Sequence, residues 1–197
     1  LAASSGHGIY ILDAETCEID HDSQNAINKA LPSKFIFETF KDSRNRLWIT
    51  TDAGGLTIID PHNLLSVPVA WDKGLRKEKE DIINTFTEDL NTGNLLIGTT
   101  NHGILIWEKE TGTIRRPEGR MESSLSVMSI IPNNILTRQG EHTYLIGLEN
   151  QGIKLFDADT ESIRDVRMSN VPYNTSGWKV HKLMEDSQGN VWVGSIQ

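Results

Sequence analysis

Residues 36–60, IFETFKDSRNRLWITTDAGGLTIID, decide the fold. They read as an apolar strand, a turn of Asp, Ser and Asn, a second strand around Trp48, the pair Gly54-Gly55, and a third strand closing on Asp60. Short runs rich in Ile, Phe, Leu and Thr, bounded by turn formers, predict β-strands joined as hairpins. The same phrase recurs outward in both directions. Residues 180–194, VHKLMEDSQGNVWVG, repeat its first half, and residues 83–107, INTFTEDLNTGNLLIGTTNHGILIW, repeat all of it with Leu96 in the place of Trp48. Residues 128–157 form a degenerate copy with Leu145 at that place, a longer turn, and no acidic residue near Asn134. Residues 1–13, LAASSGHGIYILD, match only the second half, with Leu1 at the Trp position.

The phase is constant. Gly8, Gly55, Gly103 and Gly152 close successive units at spacings of 47, 48 and 49, and positions 48, 96, 145 and 192 are separated by 48, 49 and 47. A fourth, charged strand fits around Ile114 (IRRPEG) and Ile163 (SIRDVRM), where alternation suits a solvent-facing edge. Four strands in about 48 residues predict an all-β fold, a β-propeller of about four blades with four antiparallel strands each. The repeat cores are 36–60, 83–107 and 128–157, with partial blades at 1–13 and 180–197, in one propeller domain. No stretch sustains apolar spacing at 3.6 residues over three turns. Residues 23–30, SQNAINKA, admit a single helical turn or a blade-linking loop.

Composition narrows the function. The 197 residues carry 19 Lys and Arg against 27 Asp and Glu, a net charge of −8, which repels a phosphate backbone and argues against nucleic acid. One cysteine, Cys17, excludes an internal disulfide and a cysteine-based zinc site. No apolar run approaches the roughly 20 residues a membrane helix needs. The six histidines lack paired metal-ligand spacing, so no metal and no cofactor is expected. Asp89-Leu90-Asn91-Thr92-Gly93 superficially resembles half of a calcium loop but lacks the later bidentate Glu, and Asp42, Asp89 and Asp186 read instead as turn residues accepting backbone N–H bonds. Glu38, Glu88 and Glu185 also recur with the repeat, against a unique catalytic role; no nucleophile elbow or phosphate-cradling loop is present. No catalytic residue is assigned.

Trp48 and Trp192 recur in register among Leu, Ile and Val and read as side chains wedged between blades. Trp71 and Trp178 stand apart from that register, in the linkers 28–35, 71–81, 118–126 and 171–178, where a propeller keeps its variable surface. Trp178, after Asn174-Thr175-Ser176-Gly177, is the one candidate ligand-binding residue, as a stacking platform; a hydrophobic plug at the blade end is the plainer reading.

FKDSRNRLWITTDAGGLTIID, FTEDLNTGNLLIGTTNHGILIW and MEDSQGNVWVGS resemble the two-component regulator propeller repeat. The resemblance spans nearly the whole chain, with departures at Thr50 (usually Gly), at Leu96 and Leu145 for Trp, and at the turn near Asn134. It implies an extracytoplasmic, periplasmic sensor region of a hybrid two-component histidine kinase of Bacteroides-like bacteria, usually a seven-bladed propeller of which this chain would be a part. It further implies an oligosaccharide released from a complex glycan as the ligand, and no catalytic residues. A protein–protein interaction scaffold and a propeller glycosidase or lyase are the alternatives. Residues 1–6 and 192–197 occupy the same repeat positions, so the chain reads as cut within a blade at both ends. Such edges are expected to pair within the chain, with other blades of a parent, or with a second copy as a homodimer.

Overall fold

The computed structural model describes residues 2–4, 6–52, 56–60, 66–71, 82–119, 125–134, 140–166 and 177–196. The fold is nearly all-β, with an α-helix over residues 21–30. Two compact units are present, Leu1–Ile83 with Glu110–Ile114, and Asn84–Lys109 with Arg115–Gln197.

In the first unit, β1 (Ala2–Ser4) pairs antiparallel with β2 (Gly8–Tyr10), Ala3 opposite Ile9. Helix α1 (His21–Ala30) follows. It is longer than the one turn its sequence advertised, held by Ile27 within it and Leu31 just beyond it, both buried with Ile9, Ile49 and Ile59. The Asn28 amide adds what no hydropathy pattern displays: Oδ1 accepts from Ile9 N (2.8 Å) and Nδ2 donates to Ile9 O (3.0 Å), so one side chain occupies the open edge of β2. Next comes a four-stranded antiparallel sheet of β3 (Ile36–Lys41), β4 (Leu47–Thr51), β5 (Leu56–Ile59) and β6 (Ser66–Pro68). The Gly54-Gly55 turn lies outside the described residues.

A second sheet has the order β7 (Ala70–Trp71), β11 (Thr113–Arg115), β10 (Ile104–Trp107), β9 (Leu95–Thr99), β8 (Ile83–Glu88), in which the two-residue β7 runs parallel to β11. A third is the meander β12 (Val127–Pro132), β13 (Thr143–Leu148), β14 (Gly152–Asp157), β15 (Ser162–Asp165). The last has two strands, β16 (Lys179–Glu185) and β17 (Val191–Ile196). These are propeller blades, and β11 and β15 are the charged outer strands expected around Ile114 and Ile163.

Register confirms the repeat phase. Trp48 pairs with Ile58, Leu96 with Ile106 and Leu145 with Leu155, a constant offset of ten residues. Within the second unit, Leu96, Ile104 and Ile106 of one blade pack on Val127, Ile130, Tyr144 and Ile146 of the next. Leu145 and Ile153 in turn pack with Val180, Leu183, Val191 and Val193. Close approach explains the glycine two residues after the Trp position. A Cβ on Gly98 would lie 2.7 Å from Val127 Cγ1, and one on Gly147 would lie 2.5 Å from Val180 Cγ1. Both valines are fully buried, each filling the notch that the preceding blade's glycine leaves.

Candidate functional site

Each blade has two rims, one carrying the acidic turns and the other the openings of the first strands. At the opening rim the backbone repeats a connection that the sequence hides. Gly8 N donates to Lys34 O (2.9 Å), Gly103 N to Leu125 O (2.9 Å) and Gly152 N to Trp178 O (3.1 Å). All three glycines have positive φ, +82°, +67° and +68°, which suits glycine and aims the N–H at the start of the next blade. Trp178 therefore stands in register with Lys34 and Leu125, two residues before the first core residue of a blade, not apart from the repeat. Lys, Leu and Trp share this place because only the main chain is used. The Trp178 side chain is half-buried and packs against Ile153, Val180 and Leu183.

Immediately beyond, the first strand bulges. Register shifts between Ile36 and Glu38, between Val127 and Ser129, and between Val180 and Lys182, leaving Phe37, Met128 and His181 as the extra residues. Asn84 holds the corresponding place in β8. A bulge interrupts the ladder and re-aims one side chain. In the second unit Asn84 and Met128 are neighbours. Asn84 Nδ2 donates to Val127 O (3.0 Å), with Thr100 Oγ1 at 3.3 Å and Met128 Sδ at 3.5 Å, and Leu183 N donates to Ser129 Oγ (3.0 Å) to join β16 to β12. Asn84 and Met128 are half-buried, and His181 is exposed.

The acidic rim is built from the turns predicted at Asp42, Asp89 and Asp186. Each receives backbone N–H bonds within its own turn, from Arg44 and Arg46, from Asn91, and from Gln188 and Asn190 respectively. The degenerate copy keeps the bond that closes the strand pair, although residues 135–139 between lie outside the described residues. Asn133 N donates to Thr143 O (3.0 Å) as Asp42 N does to Arg46 O (3.0 Å), so a buried, neutral Asn133 takes the acidic place. Trp48 Nε1 donates to Asp42 Oδ2 (2.8 Å) and Trp192 Nε1 to Asp186 Oδ2 (2.9 Å). Bonds from Asn190 and Trp192 hold the Asp186 carboxyl down at about 2.

Trp48 is fully buried, as expected, whereas Trp192 is 59% exposed, contrary to its expected role in the core. Leu96 and Leu145, at the Trp position, face the following blade, and within the second unit β17 belongs to the last sheet in chain order.

Where Leu96 replaces Trp, Asp89 recruits the next blade. Tyr144 Oη donates to Asp89 Oδ1 (3.0 Å), His142 Nε2 lies 2.7 Å from the same oxygen, and His142 Nδ1 lies 3.0 Å from Asp159 Oδ1. Burial alone would raise the Asp89 carboxyl, but the bonds from Thr92, His142 and Asn91 outweigh it and depress it. Burial likewise opposes charge on His142, yet Asp159 and Asp89 raise its affinity for a proton. Burial, then the Asp89 charge, holds Tyr144 protonated. Arg115, bound to Glu108 and Glu161, ties the same two blades at their outer edge. Among the described residues no group of His, Cys, Asp and Glu is arranged to hold a metal ion, and no helix is long and apolar enough to cross a membrane.

Meander sheets that interlock valine into glycine and repeat an acidic turn and a bulged first strand define a β-propeller. Residues 176–197 match the two component regulator propeller family, so the resemblance read from MEDSQGNVWVGS is borne out there. Among curated proteins none matches the chain. Solved structures do. The extracellular domain assigned to the hybrid two component system BT3049 of B. thetaiotaomicron is 22% identical with a TM-score of 0.72, covering 98% of this chain and 23% of that one. That assigned to the hybrid two component system BT4673 is 17% identical with a TM-score of 0.72, covering 96% of this chain and 24% of that one. An auxiliary nutrient binding protein from Bacteroides thetaiotaomicron is 13% identical with a TM-score of 0.58, covering 82% of this chain and 36% of that one. This chain spans about a quarter of the length of the two sensor domains, and the likeness is one of fold.

Proposed function

We propose that this chain is part of the extracytoplasmic, ligand-sensing propeller of a hybrid two-component sensor histidine kinase. It answers to glycan-derived oligosaccharides and has no catalysis of its own. The observation that carries this reading is the blade repeat itself, matched by the family at 176–197 and by fold to sensor extracellular domains. Ligand binding would act by favouring one of two arrangements of the parent receptor, in proportion to its differential affinity for them. Trp178, on the opening rim, is proposed as one contact. Isothermal titration of the chain against an oligosaccharide panel tests the reading: a saturable heat with one class of glycan supports it, and silence across the panel sinks the claim that these blades bind. Polysaccharide turnover abolished by a single carboxylate substitution would establish an enzyme instead.

A specific observation favours a second reading, an interaction scaffold. Met184, Trp192 and Ile196 are 56%, 59% and 59% exposed, and Met184 and Trp192 are cross-strand partners. Apolar surface of this kind drives association. Concentration-dependent sedimentation that Trp192→Ser abolishes, with no glycan heat, would favour this scaffold over the sensor.

A further inference from the structure

We infer that the bulged strand openings of the second unit form the ligand-contacting stripe, with Asn84, Met128 and His181 as its contacts and a neutral, hydroxyl-rich oligosaccharide as its ligand. The inference rests on the sensing reading above and names the place and chemistry of its site.

The bulge is the first argument. It gives up ladder pairing at the same register in β3, β12 and β16, so its geometry is built into the repeat and not an accident of one loop. What the geometry achieves is to lift one side chain per blade out of the alternation that otherwise sends residues into the sheet faces. Chemical variation is the second argument. The residue before the bulge is Ile36, Ile83, Val127 or Val180, always β-branched and apolar, as a packing demand requires. The bulge residue itself is Phe37, Met128 or His181, and Asn84 holds the equivalent place in β8, four different chemistries at one repeat position. A packing role would repeat; a contact role, blade by blade against different parts of one ligand, need not.

The third argument is contiguity. The Asn84 amide rests on the Val127 carbonyl and reaches the Met128 thioether, and Leu183 N on Ser129 Oγ fixes the next strand alongside. Asn84 and Met128 thus meet across two successive blades, and His181 holds the same place on the strand joined next to them. With its NH2 spent on protein acceptors, Asn84 is left with its carbonyl oxygen for a ligand hydroxyl. Met128 supplies an adaptable apolar surface for the C–H face of a sugar, and His181 an exposed ring with a donor and an acceptor.

Charge is the fourth. No bulge position carries a carboxylate or a long basic chain, although the protein has 27 acidic residues; Asp42, Asp89 and Asp186 gather on the acidic turns. Lys179 and Lys182 flank His181 on one strand only. A stripe of uncharged hydrogen-bonding groups beside apolar surface suits neutral sugars better than uronates or sulfates.

The test uses the full chain, a panel of neutral and uronate-containing oligosaccharides, and the variants Asn84→Ala, Met128→Ala and His181→Ala, with Gln188→Ala on the acidic turn as control. Expected are binding of a neutral member, at least a tenfold loss of affinity in His181→Ala and Met128→Ala with unchanged unfolding midpoints, and an unaffected control. A ligand-induced shift of the His181 imidazole signals in NMR gives a readout that needs no variant and holds if Asn84→Ala folds poorly. Binding of a neutral oligosaccharide that all three variants keep, with His181 signals unmoved, overturns the stripe and leaves the sensing reading standing. Binding of uronates alone overturns the ligand class, and no binding at all overturns both.

Discussion

Two acidic turns, drawn from the same repeat, are completed in different ways. In the blade of β3 to β6, the Asp42 carboxylate takes its partners from its own hairpin: Arg44 N, Arg46 N and Nε, and Trp48 Nε1, the last two on Oδ2 at 2.7 and 2.8 Å. The Arg46 guanidinium also sits 5.3 Å over the Trp48 ring, enclosing the indole from above. In the next blade the Leu96 side chain has no N–H to offer, and Asp89 is equally buried. A buried carboxylate needs donors. Thr92 Oγ1 of its own turn donates to Oδ2 (2.6 Å), and Tyr144 and His142 of the following blade meet Oδ1. The turn without the indole thus keeps a donor of its own on Oδ2, from Thr92, and adds bonds on Oδ1 that join two blades.

The largest test of this contrast concerns the indole. Trp48→Ala empties a fully buried site and is expected to cost about 3–5 kcal/mol, while Trp192→Ala, in the same motif but 59% exposed, should cost less than about 1 kcal/mol. Urea denaturation of the two variants side by side decides it. Equal losses would mean that the indole's bond to Asp, common to both, outweighs its burial.

The notch comes next. Thr50 occupies in one blade the place that Gly98 and Gly147 hold in two others, where the valine of the next strand leaves no space. Gly147→Ala is expected to cost about 1–3 kcal/mol by forcing Val180 aside. The same measurement in the Val180→Ala background should recover much of that loss, because the clashing methyl is gone; no recovery would place the strain in the backbone.

The third effect is the inter-blade bond itself. A hydrogen bond to a charged group contributes about 1.5–3 kcal/mol, so a double-mutant cycle of Asp89→Ala with Tyr144→Phe should give a coupling of about 1–2 kcal/mol. The cycle of Asp42→Ala with Tyr144→Phe should give a coupling near zero, since Asp42 has no part in that bond. Coupling in both cycles would dissolve the distinction between the two turns.

These contrasts mark what was legible in the sequence. The blade, its phase and its strand order were, because period-two alternation and turn residues at a spacing near 48 are local signals repeated several times over. The turn role of Asp42, Asp89 and Asp186 was legible for the same reason. The partner of Asp89 was not: Tyr144 and His142 lie more than 50 residues away, and nothing in their neighbourhood marks them as donors. Helix α1 was underestimated because it is held by two apolar residues and one amide pairing with Ile9, a tertiary bond and not a periodicity. The place of Trp178 was obscured since its repeated duty belongs to its carbonyl oxygen, which every residue has. The bulges escaped because an extra residue changes pairing without changing composition.

The smallest effect is the one that pH can reach. His142 holds a ring nitrogen near each of two carboxylates, Asp89 with a side chain 5% exposed and Asp159 with one 72% exposed, and Tyr144 packs 5.8 Å away. Both carboxylates favour the imidazolium, so the folded state raises His142 above its ordinary value of about 6.5. A raised histidine stabilises fully below that ordinary value, and the contribution is lost as pH climbs through the folded one. Asp89, depressed, contributes above the ordinary carboxylate range and loses that contribution as pH falls through its folded value. The tie between the blades is therefore strongest at mildly acid pH and slackens toward alkaline pH. Because Asp159 is largely solvated, the slope from His142 should amount to less than about 1 kcal/mol. Unfolding midpoints between pH 5.5 and 9 should decline in the parent and flatten in His142→Gln, and an NMR titration should place the His142 ring above 6.5. A midpoint that rises toward alkaline pH, or a His142→Gln protein with an unchanged slope, would show that Tyr144 alone ties Asp89 to the next blade.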